Sequence, residues 1–423
     1  MGKTLAEKII GAHNVDGAAD VSAGDLVTVN VDIVMANDVT APIAIDSFNA
    51  IGVGEVFDRN RVMLVPSHFA PNKDIKSAEQ TRTLTRFAEA QVLDNRFQVG
   101  RAGIEHVVLP ERGLVLPGDL VVGGDSHTCT YGAVGAFATG MGSTDIGFAM
   151  ATGKTWLKVP ETMKFVYHGE RQEYVYSKDM ILRTIGEITV DGALYRSMEF
   201  TGPGVAALNM SERLTMTNMV IEAGGKCGFI PFDDVTREYV EARATRPYTP
   251  YYADDDAQYV SVHEFDLSAM EPQVACPYSP DNVHPISQIK PEKVDQVFIG
   301  SCTNGRFEDM AIVADLLKRT GREFHPDVRV MIIPGSQAVY LDMLRQGWAE
   351  LFTMAGASVS TSTCGPCLGG HMGVLAGDEV CVSTSNRNFR GRMGHRDARV
   401  FLANPAVAAA SAIMGRLAHP AEL

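Results

Sequence analysis

The sequence predicts an α/β protein with largely parallel sheets, divided among more than one domain. Three observations lead there. A short apolar run followed by a polar loop recurs in "RVMLVPSHFAPN", "DLVVGGDSHTCTYG", "VDQVFIGSCTNG" and "EVCVSTSNRNFRG", the form of a strand that ends in a polar turn. Helical patterns lie between such units, as in "RFEDMAIVADLLKRTG" (306–321) and "QAVYLDMLRQGW" (337–348). Strands alternating with helices imply parallel sheets covered on both faces. At 423 residues the chain is also too long for one ordinary core.

In chain order, the N-terminal "MGKTLAEKIIGAH" lacks the long apolar core of a secretory leader. Ala6 stands where a myristoylation motif wants Ser or Thr. Residues 1–153 carry the first two strand–loop units and read as a first α/β domain. Residues 154–291 change pattern, with the alternating "TMKFVYHG", a helical run around "SERLTMTNMVIEAGG" and the tyrosine-rich "TRPYTPYYADDDAQY". This reads as a second α/β domain with a long surface excursion. Residues 292–423 form a third, closing on the alanine-rich helix "NPAVAAASAIMGRLA".

Composition narrows the function. The net charge is −14, from 51 acidic and 37 basic residues, and such a field disfavours nucleic acid and anionic membranes as partners. An anionic substrate would need a local basic cluster. No apolar run approaches the ~20 residues of a membrane span. Seven cysteines are too few and of the wrong parity for a disulfide framework, so a reducing cytoplasm is the expected setting.

Ligands of parallel sheets bind beyond the carboxyl ends of the strands, where His68, Asp125–His127, Cys302 and Asn386–Arg387 fall. Cys302 in "GSCTNG" and the Cys364/Cys367 pair in "TCGPCLGG" lie in glycine-flanked loops suited to metal or sulfide. Cys381, inside the apolar "EVCVS", reads as a core thiol; Cys129, Cys227 and Cys276 have no comparable setting. Three readings stay open: an iron–sulfur cluster with three cysteine ligands, a zinc site closed by Cys381, or a redox CxxC pair. An Asp125 carboxylate near His127 could orient the imidazole, or Asp125 and Ser126 could simply cap a turn. Arg387, Arg390, Arg392 and Arg396 crowd one loop against the acidic trend, an anchor for a di- or tricarboxylate. Glu222 and Asn218 share a helix face, and His68 and His106 are singly unremarkable.

Together these segments resemble the aconitase superfamily, and within it the large subunits of the 3-isopropylmalate dehydratase and homoaconitase type. The resemblance runs nearly end to end and is carried by "GDSHTCTYGAVGAFATGMGSTDI", "IGSCTNGRFEDM", "STCGPCLGGHMGVLAGDEVCVSTSNRNFRGRMG" and "NPAVAAASA". It implies three α/β/α domains around a central [4Fe–4S] cluster with one open iron, held by Cys302, Cys364 and Cys367. The implied activity is a hydro-lyase reaction, the reversible dehydration and rehydration of a malate-type acid: 2-/3-isopropylmalate in leucine biosynthesis, or alternatively the hydration of homoaconitate or the dehydration of a methyl-branched malate. By position, His68 matches the acid for the departing hydroxyl, Asp125, Ser126 and His127 the active-site loop, and His106 and Glu222 a paired histidine and glutamate. Asn218 and Asn386 match neighbours of the cluster, and Arg387 and Arg392 substrate or cluster contacts. A swivelling fourth domain, carrying a catalytic serine, is expected on a separate small subunit. Two positions depart from the family's pattern. Ser67 stands where most relatives carry an aspartate paired with the histidine, which should lower the pKa of His68 and loosen it; Val107 stands where many carry glutamine. Readings of another class are a non-catalytic metal scaffold, which would need a fourth ligand, and an electron carrier, for which so many separate polar loops are extravagant.

Overall fold

The computed structural model describes residues 2–423. Three sheets carry the architecture, and their central strands are parallel. The first runs Val62–Val65, Ile33–Asn37, Leu120–Gly123, Phe137–Gly140, with every pair parallel. The second runs Ser261–Asp266, Thr162–His168, Ser197–Thr201, Cys227–Phe229, again all parallel. The third has seven strands: Val283–Pro285, Gln273–Ala275, Arg399–Leu402, Val380–Ser383, Gln296–Ile299, Arg329–Ile332 and Ala357–Val359. Its last five are parallel, and its first two add antiparallel at the edge. Strands such as "VMLV", "QVFI" and "VCVS" are buried throughout, as continuous apolar runs must be when helices cover both faces.

Several segments sit away from where the sequence pattern puts them. Lys154–Lys158 pairs antiparallel with Leu26–Asn30 in a two-stranded ribbon. Gln273–Ala275 and Val283–Pro285 join the third sheet, although both lie within 154–291; three residues each are too short to show a period. The tyrosine-rich excursion folds back over the first sheet's region. There Asp254 accepts the Lys3 backbone N–H at 2.8 Å and pairs with Lys8. Arg246 forks onto the Asp119 carboxylate. Gly118, at φ +84°, faces the Tyr251 ring, where a Cβ would come within 3.0 Å.

Helix limits follow capping chemistry. Phe307–Thr320 buries Met310, Val313, Ala314, Leu316 and Leu317, carries Glu308 and Asp309 in its first turn and Lys318 and Arg319 in its last. That charge order suits the helix dipole. The run 337–348 breaks into Gln337–Arg345 and Trp348–Met354, because Gly347 at φ +70° ends the first piece. The run around Glu222 begins as the α-helix Met210–Asn218 and tightens to a 3₁₀ turn, Met219–Ala223. The alanine-rich helix Pro405–Met414 is buried along nearly its whole length.

That last helix is tied to the second sheet's region through its cap. Asn404 accepts the Val407 N–H at 2.9 Å and donates to the Asp179 carboxylate at 2.8 Å and the Tyr174 carbonyl at 3.0 Å. Asp179 also accepts the Gln273 N–H at 2.8 Å. Asn404→Ala removes a cap and leaves a buried carboxylate short of a donor. It is expected to cost roughly 2 kcal/mol, read as a lowered unfolding midpoint against the native chain.

Candidate active site

Five loops following strands Val62–Val65, Leu120–Gly123, Gln296–Ile299, Ala357–Val359 and Val380–Ser383 meet at one cavity of about 170 Å³. It is lined by His68, Glu105, His106, Asp125, Ser126, His127, the sulfur-bearing Cys302, Cys364 and Cys367, and Asn386, Arg387 and Arg392. Asn218 and Glu222 reach its walls from the helical run above strand Cys227–Phe229. Among the arginines expected as an anchor, Arg390 instead stacks on Tyr278, 3.9 Å from the ring centre, and Arg396 is exposed.

Asp38, buried just after strand Ile33–Asn37, shapes the His68 turn. Its carboxylate accepts the backbone N–H groups of Ser67, His68 and Phe69 at 2.9, 2.8 and 2.8 Å. The His68 ring has Ser67 Oγ 3.0 Å from Nδ1, Glu105 Oε1 3.8 Å from the same nitrogen, and Asp125 Oδ2 3.5 Å from Nε2. Burial by itself would lower the pKa of His68. The acidic groups of Cys364, Glu105 and Asp125 overcome that and raise it well above the ordinary histidine value. Where Ser67 supplies no charge, carboxylates from other loops face the ring.

Asp125 caps the 3₁₀ helix Ser126–Val134, accepting the His127 N–H at 2.8 Å, so the turn-capping and imidazole-orienting readings are both realised. His106 Nε2 donates to Asp125 at 2.9 Å, and Tyr131 supplies its hydroxyl to Nδ1 at 3.1 Å. His127 Nε2 donates to Glu222 at 2.9 Å, and Arg387 Nε donates to the same carboxylate at 2.9 Å. The pairing expected between His106 and Glu222 is thus replaced by two others, His106 with Asp125 and His127 with Glu222. Burial opposes ionisation of both carboxylates. Three histidines nonetheless hold Asp125 well below the usual range, and Arg387 and His127 lower Glu222.

The three thiols arrive on strained, tightly held loops. Ser301, at φ +77°, turns the chain into the short helix that carries Cys302, a conformation costing about 1–3 kcal/mol outside glycine. Arg306 donates to the Cys302 and Thr303 carbonyls at 2.9 and 3.1 Å and to the His106 carbonyl at 3.3 Å. The Cys364 N–H donates to the Ser67 carbonyl at 2.9 Å. Burial and neighbouring sulfurs push the Cys302 thiol far up and the Cys364 thiol up to about 12.

This donor set fits an iron–sulfur group. Three soft sulfurs face one space, and amide donors already point at them: Asn218 Nδ2 is 3.2 Å and Asn386 Nδ2 3.5 Å from Cys302 Sγ, with Arg392 Nη2 3.8 Å from Cys367 Sγ. The Arg392 Nε lies buried without a partner. Three thiolates here would repel one another unless a cationic centre joined them. Cys381 does not help to close a zinc site, because it lies in the core of strand Val380–Ser383 and does not line the cavity. Cys364 and Cys367 are free thiols.

Sequence reasoning missed Asp38, Glu105, Arg306 and Lys178. Asp38 follows a strand as the other site loops do, so the same pattern could have flagged it. Glu105 directly precedes His106 and Arg306 follows "SCTNG". Lys178 gave no signal: a lysine in a helix's first turn ordinarily reaches water. Here it is fully buried and donates to the Thr384 and Ser385 carbonyls at 3.0 and 2.6 Å, and burial lowers its pKa to about 7.

Sulfur ligands, histidine–carboxylate pairs and arginines at the ends of parallel strands define a class: α/β enzymes that work on small anions with acid–base groups beside a metal–sulfur centre. The chain belongs to the aconitase family, whose model (aconitate hydratase) matches residues 7–296 and 287–415, and which is known for iron–sulfur clusters. Among similar proteins, the 3-isopropylmalate dehydratase large subunit of Halothermothrix orenii is 57% identical over 423 residues, all of both chains. That of Hydrogenobaculum sp. is 57% identical, covering all of this chain and 99% of its own. That of Aquifex aeolicus is 56% identical, covering all of this chain and 98% of its own. Among solved structures, aconitase X of Thermococcus kodakaraensis aligns at 13% identity with a TM-score of 0.48, over 85% of this chain and 84% of that one.

Glu222 holds a histidine and an arginine at once, so its charge organises one wall of the cavity. Glu222→Gln is expected to lower hydro-lyase turnover by roughly 10²-fold or more, assayed at matched iron content. Wild-type turnover would show that wall to be uninvolved.

Proposed function

We propose that the chain is the large subunit of a 3-isopropylmalate dehydratase, interconverting 2- and 3-isopropylmalate by removal and readdition of water. The observation that carries this reading is one cavity that combines three sulfur ligands, His68 beside Asp125, and Arg387 and Arg392. Full-length relatives at 56–57% identity bearing that name support it. Hydration of homoaconitate or dehydration of a methyl-branched malate is the second reading, since the same cavity would hold the dicarboxylate portion that these acids share.

Cys302, Cys364 and Cys367 would hold a [4Fe–4S] cluster. When bound, it supplies a Lewis acid for the substrate's hydroxyl and a neighbouring carboxylate. The protein's own groups do the rest. Arg387 and Arg392 supply positive charge for carboxylates on a chain that is otherwise acidic. His68 donates a proton to the departing hydroxyl, since hydroxide is a poor leaving group. Asp125 faces the His68 Nε2 and the His106 Nε2 together and keeps both rings directed inward. Asn218 and Asn386 hold the Cys302 sulfur, and Glu222 fixes His127 and Arg387.

The division into residues 1–153, 154–291 and 292–423 belongs to this proposal, as does a separate small subunit that supplies the serine base and completes the cavity. No helix among the described residues is long and apolar enough to cross a membrane, and we place the enzyme in the cytoplasm.

The test is reconstitution. Anaerobically loaded chain is expected to convert 3-isopropylmalate only when a small subunit is added, and to prefer it to homoaconitate. Preference for homoaconitate would move the assignment to the second reading. In the same assay His68→Ala is expected to lower kcat by roughly 10²–10⁴-fold; near-normal turnover would remove His68 as the acid.

A further inference from the structure

Glu105 is the buried acid that neither the sequence motifs nor the roles above account for. It opens the helix Glu105–Glu111 and is 0% exposed. Asn37 Nδ2 donates to its Oε1 at 3.1 Å, while its Oε2 is buried without any hydrogen-bond partner. A carboxylate so placed needs a cationic or strongly donating neighbour to offset its desolvation. Two nitrogens are near the carboxylate, both on its Oε1 side: His68 Nδ1 at 3.8 Å and His106 Nε2 at 3.9 Å. The second is committed, because His106 Nε2 donates to Asp125 at 2.9 Å. His68 Nδ1 remains.

Two other groups stand at that nitrogen: Ser67 Oγ, 3.0 Å away, and Asp38 Oδ1 at 3.9 Å, whose carboxylate is already taken up by the backbone N–H groups of Ser67, His68 and Phe69. A hydroxyl either accepts from a protonated Nδ1 or donates to a bare one, so it cannot choose the ring's tautomer. An ionised carboxylate only accepts. It favours a proton on Nδ1 and so leaves Nε2 as the nitrogen that exchanges protons with the cavity.

We propose that Glu105 is the positioning residue for His68, fixing the ring's orientation and holding a proton on Nδ1 so that Nε2 serves the reaction. This rests on the reading of His68 as the acid. In the dehydration direction the Nε2 proton passes to the departing hydroxide to form water, and the ring is left neutral with its Nδ1 proton in place. Rehydration returns the proton to Nε2. Ser67, being neutral, completes the contact without deciding it.

The experiment is a set of variants of the assembled, cluster-loaded enzyme, with kcat, KM, iron and sulfide measured on each. Glu105→Gln is expected to lower kcat roughly tenfold or more with KM within about twofold and with iron and sulfide unchanged. Adding Ser67→Asp, which puts a carboxylate at the same ring nitrogen, is expected to restore most of that kcat. Glu105→Gln made on top of His68→Ala is expected to change nothing further. Wild-type kcat in Glu105→Gln overturns the proposal, as does loss without rescue at full iron and sulfide. An equal loss in the His68→Ala background also overturns it, since Glu105 would then act elsewhere. Near-normal kcat in His68→Ala alone is a different failure, that of the acid assignment beneath it. Should Glu105→Gln fail to hold its cluster, Glu105→Asp replaces it, keeping the charge but drawing it back by one methylene. A partial loss rescued by Ser67→Asp is then expected, and wild-type kcat contradicts the proposal.

Discussion

Three buried sulfurs share one small space, and the mutual repulsion of the thiolates they would become sets the terms for everything around them. Cys302 comes on one strand-end loop and Cys364 and Cys367 on another, so neither loop can relax without parting them. The surroundings answer with donors: Asn218 and Asn386 toward Cys302, Arg392 toward Cys367. Behind the sulfurs two buried basic side chains pin backbone. Arg306 gathers the carbonyls of Cys302, Thr303 and His106, and Lys178 those of Thr384 and Ser385. Charge-assisted bonds such as those of Arg306 are the strong ones in a low dielectric, and with the Lys178 bonds they hold the loops that carry the thiols. The strain at Ser301 is borne within the same network.

The reacting side of the cavity obeys a second economy: each carboxylate serves more than one cationic or donor group. Asp125 meets His106, His127 and His68; Glu222 meets His127 and Arg387; Asp38 gathers three successive backbone amides. Such sharing lets acids stay ionised where burial alone would neutralise them. It also couples the first sheet's loops to the second sheet's helix and the third sheet's arginines, so the site exists only when the three regions are packed together. Arg387 and Arg392, which line the cavity, give a strongly acidic chain one place suited to an anion.

How much of this was legible in the sequence depended on range. His68, Asp125, Cys302 and Asn386 were found because a strand, its end and the following polar turn are adjacent in the chain. The three cysteines and the arginines of "NRNFRGR" stood out by type and spacing, yet Arg390 and Arg396 could not be told from Arg387 and Arg392 until the loop was folded. Pairings were out of reach: spacing gives no rotamers, so His106 was matched with Glu222 rather than Asp125. Lys178 reads as an ordinary solvated residue, and only packing between two distant loops buries it. Ser67 reads as a loss because the compensating charges come from Glu105, well further along the chain, and from the Asp125 loop. The edge strands Gln273–Ala275 and Val283–Pro285 were invisible at three residues each.

The central claim is that Cys302, Cys364 and Cys367 hold an iron–sulfur cluster with one iron left open. The most direct measurement is electron paramagnetic resonance on anaerobically purified chain after mild oxidation, with iron, sulfide and zinc quantified on the same sample. A [3Fe–4S] signal is expected to appear as one iron is released, with no stoichiometric zinc. Stoichiometric zinc without sulfide, persisting after anaerobic reconstitution with iron and sulfide, would contradict it.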